Sequence, residues 1–185
     1  YRLRTENGLT IVIDPYFSDS LQKEKGDSFK RQIPINDEVL NHVDVLILTH
    51  LHGDHTDVET INRIVEKNGK IAVLAPLNVL DVLRKRYEKN PQDYMLFDCD
   101  IEITLRGVRF ISTYAAHSDE RPIGVTIEGD SKVICHTGDT MYHKKLLIDL
   151  PRNADALLLP INGQGYNMNA VDAARLTREL RPKTV

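Results

Sequence analysis

Val43-Asp44-Val45-Leu46-Ile47-Leu48-Thr49-His50-Leu51-His52-Gly53-Asp54-His55 sets three imidazoles and a carboxylate at the end of an apolar, strand-like run. Neutral imidazole is the commonest protein ligand for transition metals, and a carboxylate adds the anionic oxygen that a divalent cation favours. If Val43–Thr49 is a buried strand, His50 and His52 leave its end on one face, because side chains alternate with period two. Gly53 is expected to let the chain turn sharply, so that Asp54 and His55 point back toward a second position beside the first. The stretch therefore predicts a metal centre with room for two cations.

Working outward, Leu9–Asp14 reads as a strand ending in a carboxylate and stopped by Pro15. Asp14 could orient a ligand from the neighbouring strand end or serve a turn. Ser18–Glu38 is polar and weakly periodic and is expected to be a long irregular loop. After the histidines, Thr56-Asp57-Val58-Glu59 has the form of a capping box, with a helix over Val58–Lys67 closed by Asn68-Gly69. Asp57 then belongs to the helix start or bonds a histidine ligand from behind. Ile71–Ala75 reads as a strand, and Leu77–Tyr87 as an amphipathic helix through Leu80, Leu83 and Tyr87. Tyr94–Phe97, Ile101–Leu105, Val108–Thr113, Ile123–Glu128 and Lys132–His136 follow as strands, read as antiparallel hairpins turning at Arg106-Gly107 and Gly129-Asp130. Ala156–Ile161 is a further strand, and Asn169 can cap a helix through Leu180. Helices mixed with hairpins predict a layered α/β fold with largely antiparallel sheets, in a single domain over residues 1–185.

Two later segments can complete the metal centre. His117 follows the strand Val108–Thr113, and Asp139, in His136-Thr137-Gly138-Asp139-Thr140, follows Lys132–His136. A carboxylate has two oxygens, one for each of two cations. His136 and His143 are assigned non-ligand roles, since His136 alternates away from its strand end and His143 sits in a polar, helix-like stretch.

Composition narrows the partners. A net charge of −3 with 24 scattered basic residues offers no cationic face, which argues against nucleic acid and for a small-molecule substrate. Cys99 and Cys135 sit in apolar runs as expected of buried, reduced thiols. No apolar run approaches membrane-spanning length and no signal peptide opens the chain, so it reads as cytoplasmic with no membrane partner. Both ends read as cut, Tyr1 running directly into a strand and Val185 standing where a new one would begin.

His50-Leu51-His52-Gly53-Asp54-His55, then His117 and Thr137-Gly138-Asp139-Thr140, resemble the motif set of the metallo-β-lactamase superfamily across nearly the whole chain. Within it, Ile13-Asp14-Pro15-Tyr16, Ala116-His117-Ser118, Leu159-Pro160-Ile161-Asn162-Gly163 and Asn167-Met168-Asn169 resemble the L-ascorbate-6-phosphate lactonase branch of metal-dependent hydrolases. The resemblance implies an αββα sandwich, with His50, His52 and His117 on one metal, Asp54 and His55 on the second, and Asp139 bridging. The superfamily's final histidine ligand would follow a strand beyond Val185.

The implied chemistry is hydrolysis by metal-bound hydroxide, with Asp54 helping to orient the water, on a phosphorylated sugar-acid lactone such as L-ascorbate 6-phosphate. Arg31, with Lys30 beside it, is a candidate to hold the substrate phosphate or forms a solvated charge pair. Asn162 either faces the cleft or forms the turn after its strand. Imidazole with carboxylate suits manganese, zinc or iron, and the lactonase branch is associated with manganese. A phosphodiesterase or nuclease on the same scaffold, and a non-catalytic metal-binding domain, are the competing readings.

Overall fold

The computed structural model describes residues 1–31, 34 and 36–185, and the chain divides into two compact units, Tyr1–Leu96 and Phe97–Val185. In the first unit a five-stranded sheet has the order β1 (Arg2–Arg4), β2 (Thr10–Ile13), β3 (Val45–Ile47), β4 (Ala72–Ala75), β5 (Asp93–Leu96). Only β1 and β2 run antiparallel; β2/β3, β3/β4 and β4/β5 are parallel. All residues of β2 and β3 are buried, as expected where continuous apolar strands are covered on both faces.

The parallel pairs require crossovers, which the helices supply. A short helix α1 (Ser20–Lys25) precedes β3, α2 (Val58–Asn68) links β3 to β4, and α3 (Leu77–Arg86) links β4 to β5. Ile61, Ile64 and Val65 recur at helical spacing on α2 and join Leu46, Val73 and Leu80 in the core of this unit. Each such side chain contributes roughly 1.5–3 kcal/mol on burial. Gly69 ends α2 with φ 69°, and its N–H bonds Val65 O.

The second unit holds β6 (Glu102–Leu105), β7 (Val108–Tyr114), β8 (Ile123–Gly129), β9 (Lys132–His136) and β10 (Ala156–Leu158), in the sheet order β10-β9-β8-β7-β6. Its first four strands form an antiparallel meander, while β10 pairs parallel to β9. Arg106-Gly107 and Asp130-Ser131 make the two tight turns, all four residues with positive φ, as the twist of two-residue hairpins demands. Helix α4 (Leu146–Asp149) lies in the β9-to-β10 crossover, and α5 (Ala170–Leu180) follows β10. Leu146, Leu157, Met168, Leu176 and Leu180 form this unit's core with Cys135. Asn169 caps α5 as expected, its side chain accepting from the N–H groups of Val171 and Asp172.

The α/β class with two mixed sheets agrees with the sequence reading, but several details differ. Antiparallel pairing dominates only the second unit, because three connections of the first carry crossover segments too long for hairpins. Asp93–Leu96 is accordingly a parallel edge strand beside β4 and no part of a hairpin. The Ser18–Glu38 segment contains α1 and 3-10 turns at Asp27–Phe29 and Asp37–Leu40, where Leu21 and Leu40 bury enough surface to order the chain. Its residues Gln32, Ile33 and Ile35 lie outside the described ones. The second hairpin turns at Asp130-Ser131, one residue later than Gly129-Asp130, as the Gly129–Lys132 pairing requires.

Candidate metal centre

In the first unit the parallel register sets Asp14, one residue past β2, beside Thr49, just past β3. Asp14 Oδ1 accepts from Thr49 N at 2.8 Å, and Oδ2 accepts from Thr49 Oγ1 at 2.6 Å and from His55 Nδ1 at 2.8 Å. Asp14 holds φ 43°, which turns the chain out of β2 directly beneath the histidines. Thr49 Oγ1 spends its proton on Asp14, so it can only accept from His50 Nδ1, 3.0 Å away. One carboxylate thereby sets the tautomer of two imidazoles. His50 and His55 both carry a proton on Nδ1 and the lone pair on Nε2, the ligating arrangement of carboxylate–histidine–metal systems.

The segment 52–56 folds around one carbonyl. His52 O accepts from His55 N at 3.0 Å and from Thr56 N at 2.8 Å, while Thr56 Oγ1 donates to His50 O at 2.6 Å. This is a correction to the capping-box reading. Asp57 is the residue that precedes α2, it makes no side-chain cap bond, and Thr56 is committed to the histidine segment. Asp57 instead accepts from Ser20 Oγ at 3.2 Å and from the Thr60 hydroxyl, which ties α1 to α2. Gly53 also differs from expectation. Its φ is not positive, and its lack of a side chain matters because a Cβ there would meet Leu21 at 3.3 Å.

Around that frame His50 Nε2 lies 3.1 Å from His52 Nδ1, and His55 Nε2 lies 3.7 Å from Asp54 Oδ2. The ligand atoms of Asp14, His50 and His55 fall within 4.8 Å of one another. His50 is fully buried, whereas the Asp54 side chain is half exposed.

The second unit brings His117 and Asp139 together, with His117 Nε2 3.8 Å from Asp139 Oδ2. Two loops are stitched to achieve this. Thr140 Oγ1 accepts from Ala116 N at 2.8 Å and Met141 N donates to Ala116 O at 2.9 Å, fixing the residues beside each ligand. Gly138, with φ 61°, supplies the left-handed step before Asp139. His136 and His143 take local roles, their Nδ1 atoms accepting from Gly138 N and Lys145 N at 3.1 Å each.

These donor sets fit divalent cations. Ligand bonds of about 2.0–2.2 Å put neighbouring donor atoms roughly 3.0–3.6 Å apart in tetrahedral or octahedral geometry. The separations of 3.1, 3.7 and 3.8 Å between these donor atoms sit near that range.

The two residues singled out for substrate contact are engaged locally. Arg31 donates to Asp19 Oδ1 at 3.1 Å and to Ser18 O at 3.4 Å. Asn162 Oδ1 accepts from Gln164 N at 3.2 Å, and its backbone bridges to Asn169. Sequence reasoning missed Thr49 and Thr56 as supports for the histidines. Their signal was present in their position, one hydroxyl at each flank of the cluster.

Comparison with known proteins finds similar chains. The Beta-lactamase superfamily domain model matches residues 10–185. A UPF0173 metal-dependent hydrolase of Sulfolobus acidocaldarius is 28% identical over 181 residues, 96% of this chain and 74% of that protein. One from Pyrococcus furiosus is 29% identical over 188 residues, 97% of this chain and 76% of its own length. Among solved structures, Igni18, a metallo hydrolase from Ignicoccus hospitalis, superposes with a TM-score of 0.75 at 24% identity, over 98% of this chain and 74% of that one. The metallo-beta-lactamase fold protein YhfI from Bacillus subtilis gives a TM-score of 0.70 at 19% identity, over 95% and 72%. These two likenesses concern the fold.

Proposed function

The chain belongs to the Beta-lactamase superfamily domain family, and from that premise we propose that it is a metal-dependent hydrolase of small molecules. The observation that carries the reading is the Asp14–Thr49–His50/His55 network, which holds two imidazoles in the ligating tautomer before any cation arrives. The proposed ligands are His50, His52, Asp54 and His55 from the first unit and His117 and Asp139 from the second. Manganese, zinc and iron all suit nitrogen and oxygen donors of this kind. A divalent cation bound there supplies Lewis acidity toward an acyl or phosphoryl oxygen and lowers the pKa of water.

Within that frame the chain's own groups have separable tasks. Asp54, half exposed, is the proposed catalytic carboxylate that orients the attacking water and receives its proton. Asp14 keeps the proton of His55 on Nδ1. Arg31 is held beside Asp19 and could turn its guanidinium to a substrate phosphate only by leaving that pair.

The finer reading is a lactonase acting on a phosphorylated sugar-acid lactone such as L-ascorbate 6-phosphate. What supports it is the resemblance of Leu159–Gly163 and Asn167–Asn169 to the lactonase branch. The test is a hydrolysis screen of the metal-free protein reloaded with manganese, zinc or iron, against sugar-acid lactones and, in parallel, phosphodiesters. Lactone turnover restored by one metal supports the finer reading. Phosphodiester turnover alone replaces lactonase by phosphodiesterase, and no hydrolysis of either class overturns the catalytic reading.

A further inference from the structure

Residues 162–169 form a tight hairpin in the second unit whose polar groups converge on the two ligand candidates there. Asn162 and Asn169 close it as a bridge, Gly163 N donates to Met168 O at 3.0 Å, and Met168 is fully buried beneath it. At its tip Gly165 and Tyr166 both take left-handed φ, 62° and 61°. For an aromatic residue that conformation is unfavourable, and it persists only where the surroundings fix it. Its effect is to present two consecutive groups. Tyr166 O lies 3.2 Å from His117 Nδ1, and Asn167 Nδ2 donates to Asp139 Oδ2 at 2.9 Å.

The orientation of the Asn167 amide is determined, because its Oδ1 accepts from Thr140 N at 2.9 Å and only the NH2 can then face Asp139. Thr140 is the residue after Asp139, so Asn167 grips the carboxylate and its backbone together. The Tyr166 carbonyl has no proton to give. It therefore requires the proton of His117 on Nδ1 and the lone pair on Nε2, the nitrogen that lies 3.8 Å from Asp139.

We propose that the 162–169 hairpin is a positioning element for the metal centre, in which Asn167 holds Asp139 in its ligating orientation and the Tyr166 carbonyl fixes the ligating tautomer of His117. Asn167 is a positioning residue and touches no substrate in this role. The inference rests on the proposed metal-dependent reading and assigns to the hairpin a part of its affinity. Residues that orient ligands from behind typically change metal affinity 10–100-fold when removed.

The test compares Asn167→Ala with the unaltered protein by two measurements on the full chain, neither of which uses activity. Metal affinity is read by competition of manganese or zinc with a chelator, and the rise in Tm on metal addition is read against each protein's own metal-free Tm. A positioning role lowers affinity 10–100-fold and shrinks the metal-induced rise. A merely structural role lowers the Tm of both forms equally and leaves affinity unchanged, which overturns the proposal. If Asn167→Ala does not fold, Asn167→Ser, whose shorter hydroxyl does not span to Asp139, is judged by the same two measurements. Absence of metal binding by the unaltered protein would strike the metal-dependent reading itself, a different result from equal binding by both proteins.

Discussion

Asp14 Oδ2 stands 2.8 Å from His55 Nδ1 while the same carboxylate takes both the backbone N–H and the hydroxyl of Thr49. A residue just past β2 thus organises a cluster that begins 36 residues later at His50. Asp14→Ala removes the acceptor of three hydrogen bonds in a site that is nearly closed to solvent. Hydrogen bonds to a charged group contribute about 1.5–3 kcal/mol each, so the metal-free protein should lose at least that much stability, read as a fall in denaturant midpoint. Metal affinity should fall 10–100-fold as His50 and His55 lose their fixed tautomers. Unchanged metal retention after dialysis of this variant would contradict the network's role.

His52→Ala separates ligation from folding. The His52 ring is half-buried and the substitution removes its bond to His50 Nε2, so stability should change by about 1 kcal/mol. Metal content per chain, measured after gel filtration, should drop. Full metal content together with full hydrolytic activity would show that His52 is not a ligand.

Glu59 gives different expectations under the two accounts of this segment, and Thr56 serves as its reference. A capping box makes both stabilising through α2. In the structure Thr56 Oγ1 instead donates to the buried His50 carbonyl at 2.6 Å, and Glu59 pairs with Lys23 on the surface at 3.3 Å. Thr56→Val should therefore cost about 0.5–1.5 kcal/mol by removing that bond, while Glu59→Ala should stay within about 0.5 kcal/mol. Parallel urea melts of the two variants decide between them.

Much of this was legible because it depends on periodicity. Buried runs such as Val45–Ile47 and the Ile61, Ile64, Val65 stripe announce a strand and a helix by spacing alone. The ligand candidates were legible because His and Asp at strand ends are dense and chemically distinctive. What was not legible depends on register between distant segments. Whether Asp14 meets Thr49, or Asn167 meets Asp139, is fixed by how β2 lies on β3 and how the 162–169 hairpin folds back, and neither is encoded in local pattern. Parallel pairing in the first unit was missed for the same reason, since a strand such as Asp93–Leu96 carries no local mark of its partner's direction. Thr56 was misread because S/T-x-x-E describes a possibility of the backbone, and a nearer acceptor, His50 O, won the hydroxyl.

Cys99 provides a prediction that is independent of the metal centre. It borders a cavity of about 360 Å³ together with Asp98, Tyr114 and Arg121, and its thiol is pushed up to about 11, first by burial and then by the negative charge of Asp100. The thiolate is the reactive form, so alkylation at pH 8 should be markedly slower than for an ordinary thiol at 9.0. The rate of carbamidomethylation at Cys99, followed by peptide mass spectrometry, should rise with pH toward 11; a plateau already reached near pH 10 would show an unperturbed thiol. The same shift has a consequence for stability, whose sign follows from proton binding. The folded chain holds this proton more tightly than the unfolded chain, so its contribution is complete below pH 9 and is lost as pH rises from 9 through about 11. Cys99→Ser, which cannot ionise there, should show a shallower loss of stability across that window than the unaltered protein.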